Sequence, residues 1–262
     1  MIEQSFSIMH LEYYLAIFVR VMGAMAFAPI FGNQAVTRRV RVFIGIACSL
    51  AVFTANPYTP LGYSTFLEYT LLLLKEFVVG ITMGFLSNIT LTIINAAGQF
   101  IDREIGFSMV SDFDQTMNTE ITITAEFYNM LVMLIMLCSN MHYFILSALS
   151  DSFQLIPLGK VTIDTGTLYD TMIQYIADYF IISVRIALPV MISTMLLNVV
   201  LGVLAKTAPQ MNMFVIGIQL KIFAGYAVFI VTVLMLPRAA TLISDEIKTM
   251  LRMIVKGMYG AG

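Results

Sequence analysis

Tryptophan is absent, histidine and cysteine occur twice each, and charged residues make up only 11% of the 262 positions. Each scarcity removes a class of protein. A soluble domain carries about 25% charged residues. Here 59% of the residues are hydrophobic and the mean hydropathy is +0.88, so a water-facing surface would expose apolar patches larger than soluble monomers tolerate. The solvent must be a bilayer or a large apolar assembly. With 14 Lys and Arg against 16 Asp and Glu, the net charge is −2. No basic stripe exists to neutralise a phosphate backbone, which excludes nucleic-acid binding. Cys48 and Cys138 sit inside apolar runs without CxxC or Cys/His spacing, so they read as small core residues. His10 and His142 belong to no H-E-x-x-H pattern, and no G-x-S-x-G, Walker loop or G-x-G-x-x-G occurs. Catalytic, cofactor and metal sites are therefore expected to be none, and the protein no enzyme. The start, Met1-Ile2-Glu3-Gln4, carries acid where a secretory leader carries base, so the first apolar run is expected to stay.

What is present is a series of runs long enough to cross a membrane, which takes about 20 apolar residues. Residues 77–101, 127–150 and 186–205 hold no charge, and 213–236 only Lys221. Weaker candidates are 15–32, interrupted by Arg20, and the short 42–56. The expectation is an all-α integral membrane protein of about six long helices arranged as hairpins, with seven crossings as the variant. The variant arises because residues 66–101 as one helix would be about 54 Å long, against a hydrocarbon core of about 30 Å. The helix either projects or breaks, and Gly80 and Gly84 serve as a break or as a close-packing face. Cations outside the spans divide evenly with six crossings and fall mostly inside with seven, as an ordinary polytopic protein would have them. Beyond the last run, Ile243, Ile247, Met250, Leu251, Ile254 and Met258 recur at helical spacing. That pattern predicts an amphipathic tail on the membrane interface or on a partner.

Charges inside the runs, Arg20, Lys75, Glu76, Arg185 and Lys221, form either an ion path or buried pairs and snorkelling cations. Two polar segments interrupt the apolar pattern. The first runs from Gly98 to Glu120 and mixes glycine, acids, Phe and Met. It is longer than a connector needs, and it reads as a pore element or an exposed loop. In the second, residues 202–214, Pro209 cannot continue the incoming helix, so two apolar runs form an antiparallel hairpin. Methionine is abundant, 20 of 262 residues, and its flexible thioether suits either core packing or a deformable seal.

Three stretches carry a family resemblance. Lys206-Thr-Ala-Pro-Gln-Met-Asn-Met-Phe214, Ala97-Gly-Gln-Phe-Ile-Asp-Arg-Glu-Ile-Gly-Phe-Ser108, and Ala28-Pro-Ile-Phe-Gly32 followed by Arg38-Arg-Val-Arg41 resemble the FliR family. This is the flagellar branch of the type III secretion export-gate proteins. The sequence departs at Lys206, where arginine is expected, and at Gln115 after Asp114, where Asp-Pro is common. The resemblance implies a subunit that closes a ring of FliP and FliQ chains, with FlhB and FlhA nearby, in the bacterial inner membrane at the flagellar basal body. Unfolded flagellar proteins would be its cargo. Residues 1–178 would be FliP-like, with a pore-plug loop at about 102–120. Residues 179–237 would form a FliQ-like hairpin, and 238–262 the amphipathic tail. The plug would comprise Gly106, Phe107, Ser108, Met109, Val110, Phe113, Asp114 and Met117. Lys206, Pro209, Gln210, Asn212 and Phe214 would form a partner-contact turn at the cytoplasmic mouth. The alternatives are an injectisome homologue and a small secondary transporter.

Overall fold

Apolar runs without strand-like alternation fold, in a computed structural model, into eight α-helices among the described residues. Those residues are 8–32, 36–56, 58–107, 123–161, 165–208, 210 and 212–259. The helices are α1 (Ile8–Phe27), α2 (Arg38–Ala55), α3 (Phe66–Ser87), α4 (Ile89–Ile105), α5 (Ile123–Cys138), α6 (Met141–Leu155), α7 (Thr165–Thr207) and α8 (Met213–Tyr259). No strand occurs among the described residues.

The expected six crossings are not all found among the described residues. Among the described residues three helices are long and apolar enough to cross a membrane, or four if α5 and α6, bent by 67°, count as one broken span. One reason lies in α1, whose Tyr13, Ala16, Ile17, Val21, Ala24 and Met25 are buried in the protein. Hydropathy scores such a face and a lipid-facing one alike. The run at 127–150 breaks because Asn140 turns left-handed at φ 57°, a conformation that Asn tolerates better than most residues. The run at 66–101 does not bend in this way: Asn88, between α3 and α4, keeps right-handed helical angles at φ −79° and ψ −5°, its N–H bonds the Gly84 carbonyl as in a helix, and Phe66–Ile105 counts as one 40-residue span. Gly80 and Gly84 serve packing instead: a methyl at either would stand 2.2 Å from the Arg20 or Ala24 carbonyl oxygen of α1. The expected tail is a continuation of α8 through Pro237. Its Ile243, Ile247, Met250 and Leu251 are buried in the chain, so that face is already covered.

Two compact units interleave along the chain. The first comprises residues 1–89, 140–175 and 245–262, the second 90–139 and 176–244. In the first, α1 packs on α3 and on α2. The Ala28–Gly32 stretch closes α1 with a tight turn: Phe31 N–H donates to the Pro29 carbonyl at 2.8 Å and Gly32 N–H to Ala28 at 2.7 Å. Ile30 sits at φ 70°, a strained conformation for a β-branched residue. Arg41 Nε holds the Phe31 carbonyl at 2.9 Å, a physical reason for an arginine in that following stretch.

In the second unit, α4 and α5 run side by side. A methyl on Gly98 would stand 2.4 Å from the Ala125 Cα, so the two backbones touch there. Residues of α8 close over this pair. Tyr128 and Phe229 stack at 5.3 Å, and the Tyr128 and Thr232 hydroxyls are 2.5 Å apart.

Candidate functional site

The segment expected to plug a pore lies between two described helices, α4, which ends at Ile105, and α5, described from Ile123. Its root is built from the end of α4 upward. Asp102 lies on the same face as Ile94, Ile101 and Ile105, and all four are buried. Gly106 then takes φ 97°, and the Gly106 and Phe107 N–H groups both donate to the Asp102 carbonyl, at 3.0 and 2.9 Å. This is a left-handed helix terminus, which glycine adopts at least cost. A methyl on Gly106 would meet nothing within 4 Å, so the demand is on the backbone alone. Phe107 turns its edge to Tyr226 at 5.8 Å.

The returning chain is held by the same aspartate. Thr124 N–H donates to Asp102 Oδ2 at 3.0 Å, and the Thr124 hydroxyl donates to Oδ1. A carboxylate only 1% exposed needs such donors, because a buried charge without them costs several kcal/mol. Thr124 lies in the first turn of α5, where backbone N–H groups have no helical partner and the helix dipole favours negative charge. Asp102 thus caps a helix 22 residues away and staples the two ends of the polar segment together. Below the staple, Asn129 Nδ2 donates to Asn95 Oδ1. Above it, the Thr194 hydroxyl of α7 donates to Glu104 Oε2 at 3.1 Å.

Of the sequence-derived plug residues, Gly106 and Phe107 stand at this root. Ser108, Met109, Val110, Phe113, Asp114 and Met117 lie outside the described residues. Sequence reasoning missed the stapling roles of Asp102 and Thr124. The usable signal was an acid on the buried face of an apolar helix.

The second sequence-derived site is the tip between α7 and α8. The helix ends as Ala208 N–H bonds the Leu204 carbonyl at 2.9 Å, and α8 begins with Ile216 N–H on the Asn212 carbonyl at 3.2 Å. A methyl on Gly217 would meet Leu201 at 3.3 Å, so the two helix ends adjoin as a hairpin. Lys206, Gln210 and Asn212 are exposed at the tip. Pro209 and the side chain of Phe214 lie outside the described residues.

Charges within the apolar runs separate into two kinds. Arg20 and Glu76 are both fully buried, with Nη2 and Oε2 2.5 Å apart. Lys75 and Arg185 are exposed and Lys221 half-buried. Glu76 faces α1 rather than its chain neighbour Lys75, because adjacent residues on a helix diverge. Arg20 also donates to the Ser152 and Ile156 carbonyls, at 3.2 and 3.0 Å, and Gly159 N–H donates to Glu76 Oε1 at 3.0 Å. Such a buried pair, with the Glu76 carboxylate held by Arg20 and the Gly159 N–H, ties helices together and leaves the acid engaged within the protein. Among the described residues no group of three or more His, Cys, Asp or Glu could hold a metal.

Residues 11–247 match the family model described as bacterial export proteins, family 1. The chain is 30% identical over 223 residues to flagellar biosynthetic protein FliR of Bacillus subtilis (strain 168), covering 83% of this chain and 85% of that one. It is 28% identical over 210 residues to flagellar biosynthetic protein FliR of Pectobacterium carotovorum subsp. carotovorum, covering 79% of each. Similarity extends to surface presentation of antigens protein SpaR of Shigella sonnei, 27% identical over 215 residues and covering 82% of each.

Proposed function

The chain belongs to the bacterial export proteins, family 1, a membrane-protein component of the flagellar type III export apparatus, and from that premise we propose that it closes and plugs the export pore. In this reading one copy completes a ring of FliP-like and FliQ-like subunits in the bacterial inner membrane, with FlhB and FlhA at the cytoplasmic side. Residues 1–178 take the FliP-like place and 179–237 the FliQ-like one. Residues 106–119 cork the conduit until an unfolded flagellar protein displaces them. The Lys206–Asn212 tip meets FlhB.

The observation that carries the reading is the stapled root. A removable stopper needs a movable segment on an immobile base, and Asp102, Thr124, Gly98 and Ala125 supply such a base within one packed unit. Gly106 and Phe107 sit where segment and base meet. The long apolar helices support assembly: the spans at Tyr169–Thr207 and Val215–Met253 are each only 17% buried within the chain, which leaves surface for lipid and sister helices. The transporter alternative loses its best candidate, since Glu76 is already engaged by Arg20 and Gly159.

Deleting residues 106–119 tests the plug. The assembled complex should leak ions across the membrane while still forming. An assembled complex with unaltered ion permeability refutes the assignment.

A further inference from the structure

Within the first unit, the face of α6 and the C-terminal part of α8 stand apart and enclose a groove of about 540 Å³. That is within the usual range of roughly 300–1,000 Å³ for ligand sites. Its walls are apolar: Phe144 and Leu155 from α6, Met253 from α8, and Met83 from α3. Three charges border it, Asp151 on α6 and Lys248 and Arg252 one helical turn apart on α8. Asp151 and Arg252 make no ion pair among the described residues. Lys248 Nζ bonds Asp245 at 3.1 Å, with the two side chains 37% and 74% exposed, a contact that holds the lysine only weakly. The Lys248 ammonium also lies 5.7 Å from the Phe144 ring centre, so its stem lines the apolar wall while its head stays at the rim.

We propose that this groove binds a zwitterionic phospholipid, with its phosphate on Lys248 and Arg252, its primary ammonium on Asp151 and one acyl chain along Phe144 and Leu155. Charge complementarity selects this occupant. An apolar partner helix laid in the groove would strip water from three charges and return no counter-charge, which is costly. An anionic headgroup answers the two cations and leaves the aspartate opposed. A headgroup carrying both a phosphate and an ammonium supplies an opposite charge to each side, and the bilayer holds it at high local concentration. The site would fix a lipid against the strained Ala28–Gly32 end of the unit, since Met83 and Leu251, which line it, also line the small space beside Phe31.

The test uses the intact complex, extracted from membranes, delipidated in detergent and titrated with phosphatidylethanolamine or phosphatidylglycerol of matched acyl chains. Lipid bound per complex is read by native mass spectrometry. The wild type should prefer the ethanolamine lipid. Lys248→Gln combined with Arg252→Gln should weaken both lipids by roughly tenfold, the loss expected when charge-assisted contacts are removed. Asp151→Asn should abolish the preference, weakening the ethanolamine lipid and relieving the repulsion that opposes phosphatidylglycerol. Asp151 and Arg252 are exposed and Lys248 is half-buried, so these variants preserve the core, and Ala148→Phe, which fills the groove, provides a charge-neutral check. Equal binding of both lipids by the wild type overturns the proposal. So does unchanged lipid binding in the charge variants, or capture of another polypeptide instead of lipid by a photocrosslinker at Ser147.

Discussion

Replacing Glu76 by glutamine isolates what the buried pair contributes to the first unit. In the wild type, Arg20 Nε donates to Glu76 Oε2 at 2.6 Å, Nη1 reaches two carbonyls at the end of α6, and the guanidinium lies 4.4 Å from the Phe153 ring centre. The substituted amide retains an oxygen for Gly159 N–H but leaves the guanidinium uncompensated. Breaking one side of a buried pair costs about 3–5 kcal/mol. The two carbonyls and the aromatic face partly compensate the remaining cation, which puts Glu76→Gln near the lower end. Arg20→Met strands the carboxylate with one donor and belongs near the upper end. Arg20→Met with Glu76→Gln removes both charges. Ser152 O keeps its bond from Ile156 N–H, so the main residual loss is the Ile156 carbonyl, about 1–3 kcal/mol. The double variant should therefore be more stable than either single, a strong departure from additivity. At about 2–4 °C per kcal/mol for a chain of this size, each single should lower the thermal midpoint by roughly 6–20 °C. Fluorescence-detected size exclusion of the heated complex measures it. Singles within about 1 kcal/mol of wild type, or a double variant with the sum of both losses, would refute a closed structural pair and return Glu76 to the list of ion-path candidates.

Other perturbations follow from the plug root. Gly98→Val inserts atoms where a single methyl already lies 2.4 Å from the Ala125 Cα, so α4 and α5 must part, and the complex should fail to assemble in co-purification. Gly106→Ala meets no neighbour and costs only the left-handed backbone, about 1–2 kcal/mol; Gly106→Asn should cost less, and a clash-like loss in both would contradict the open geometry. Asp102→Asn removes the charge that caps α5 and should lower stability by about 1–3 kcal/mol, whereas Thr124→Ser keeps both donors and should match wild type in the same melting assay. Arg41→Ala frees the Phe31 carbonyl beside strained Ile30, and faster hydrogen exchange confined to that turn is the expected signature.

The family was legible in short, ordered motifs, and the all-helical membrane class in composition alone: too few charges to clothe a soluble surface, and apolar runs of span length. Gly80 and Gly84 were readable as a packing face because small residues four apart leave a groove that another backbone can enter. The number of crossings was not readable. An apolar side chain on α1 scores the same whether it faces α3 or lipid, and only the packed structure shows Ile17 and Val21 buried inside the protein.

The same limit governed the polar residues. Sequence marked Arg20 and Glu76 as charges in apolar surroundings, which is a statement of cost, and placed Asp102 only within a polar segment. Their partners lie 56 and 22 positions away, and nothing local points to them. Composition and periodicity determine that this chain must be helical and must sit in an apolar solvent, because those follow from transfer free energies summed residue by residue. Which charge neutralises which, where a long helix breaks and which ends of a loop are tied together depend on distances between remote segments. Those distances exist only once the chain has packed.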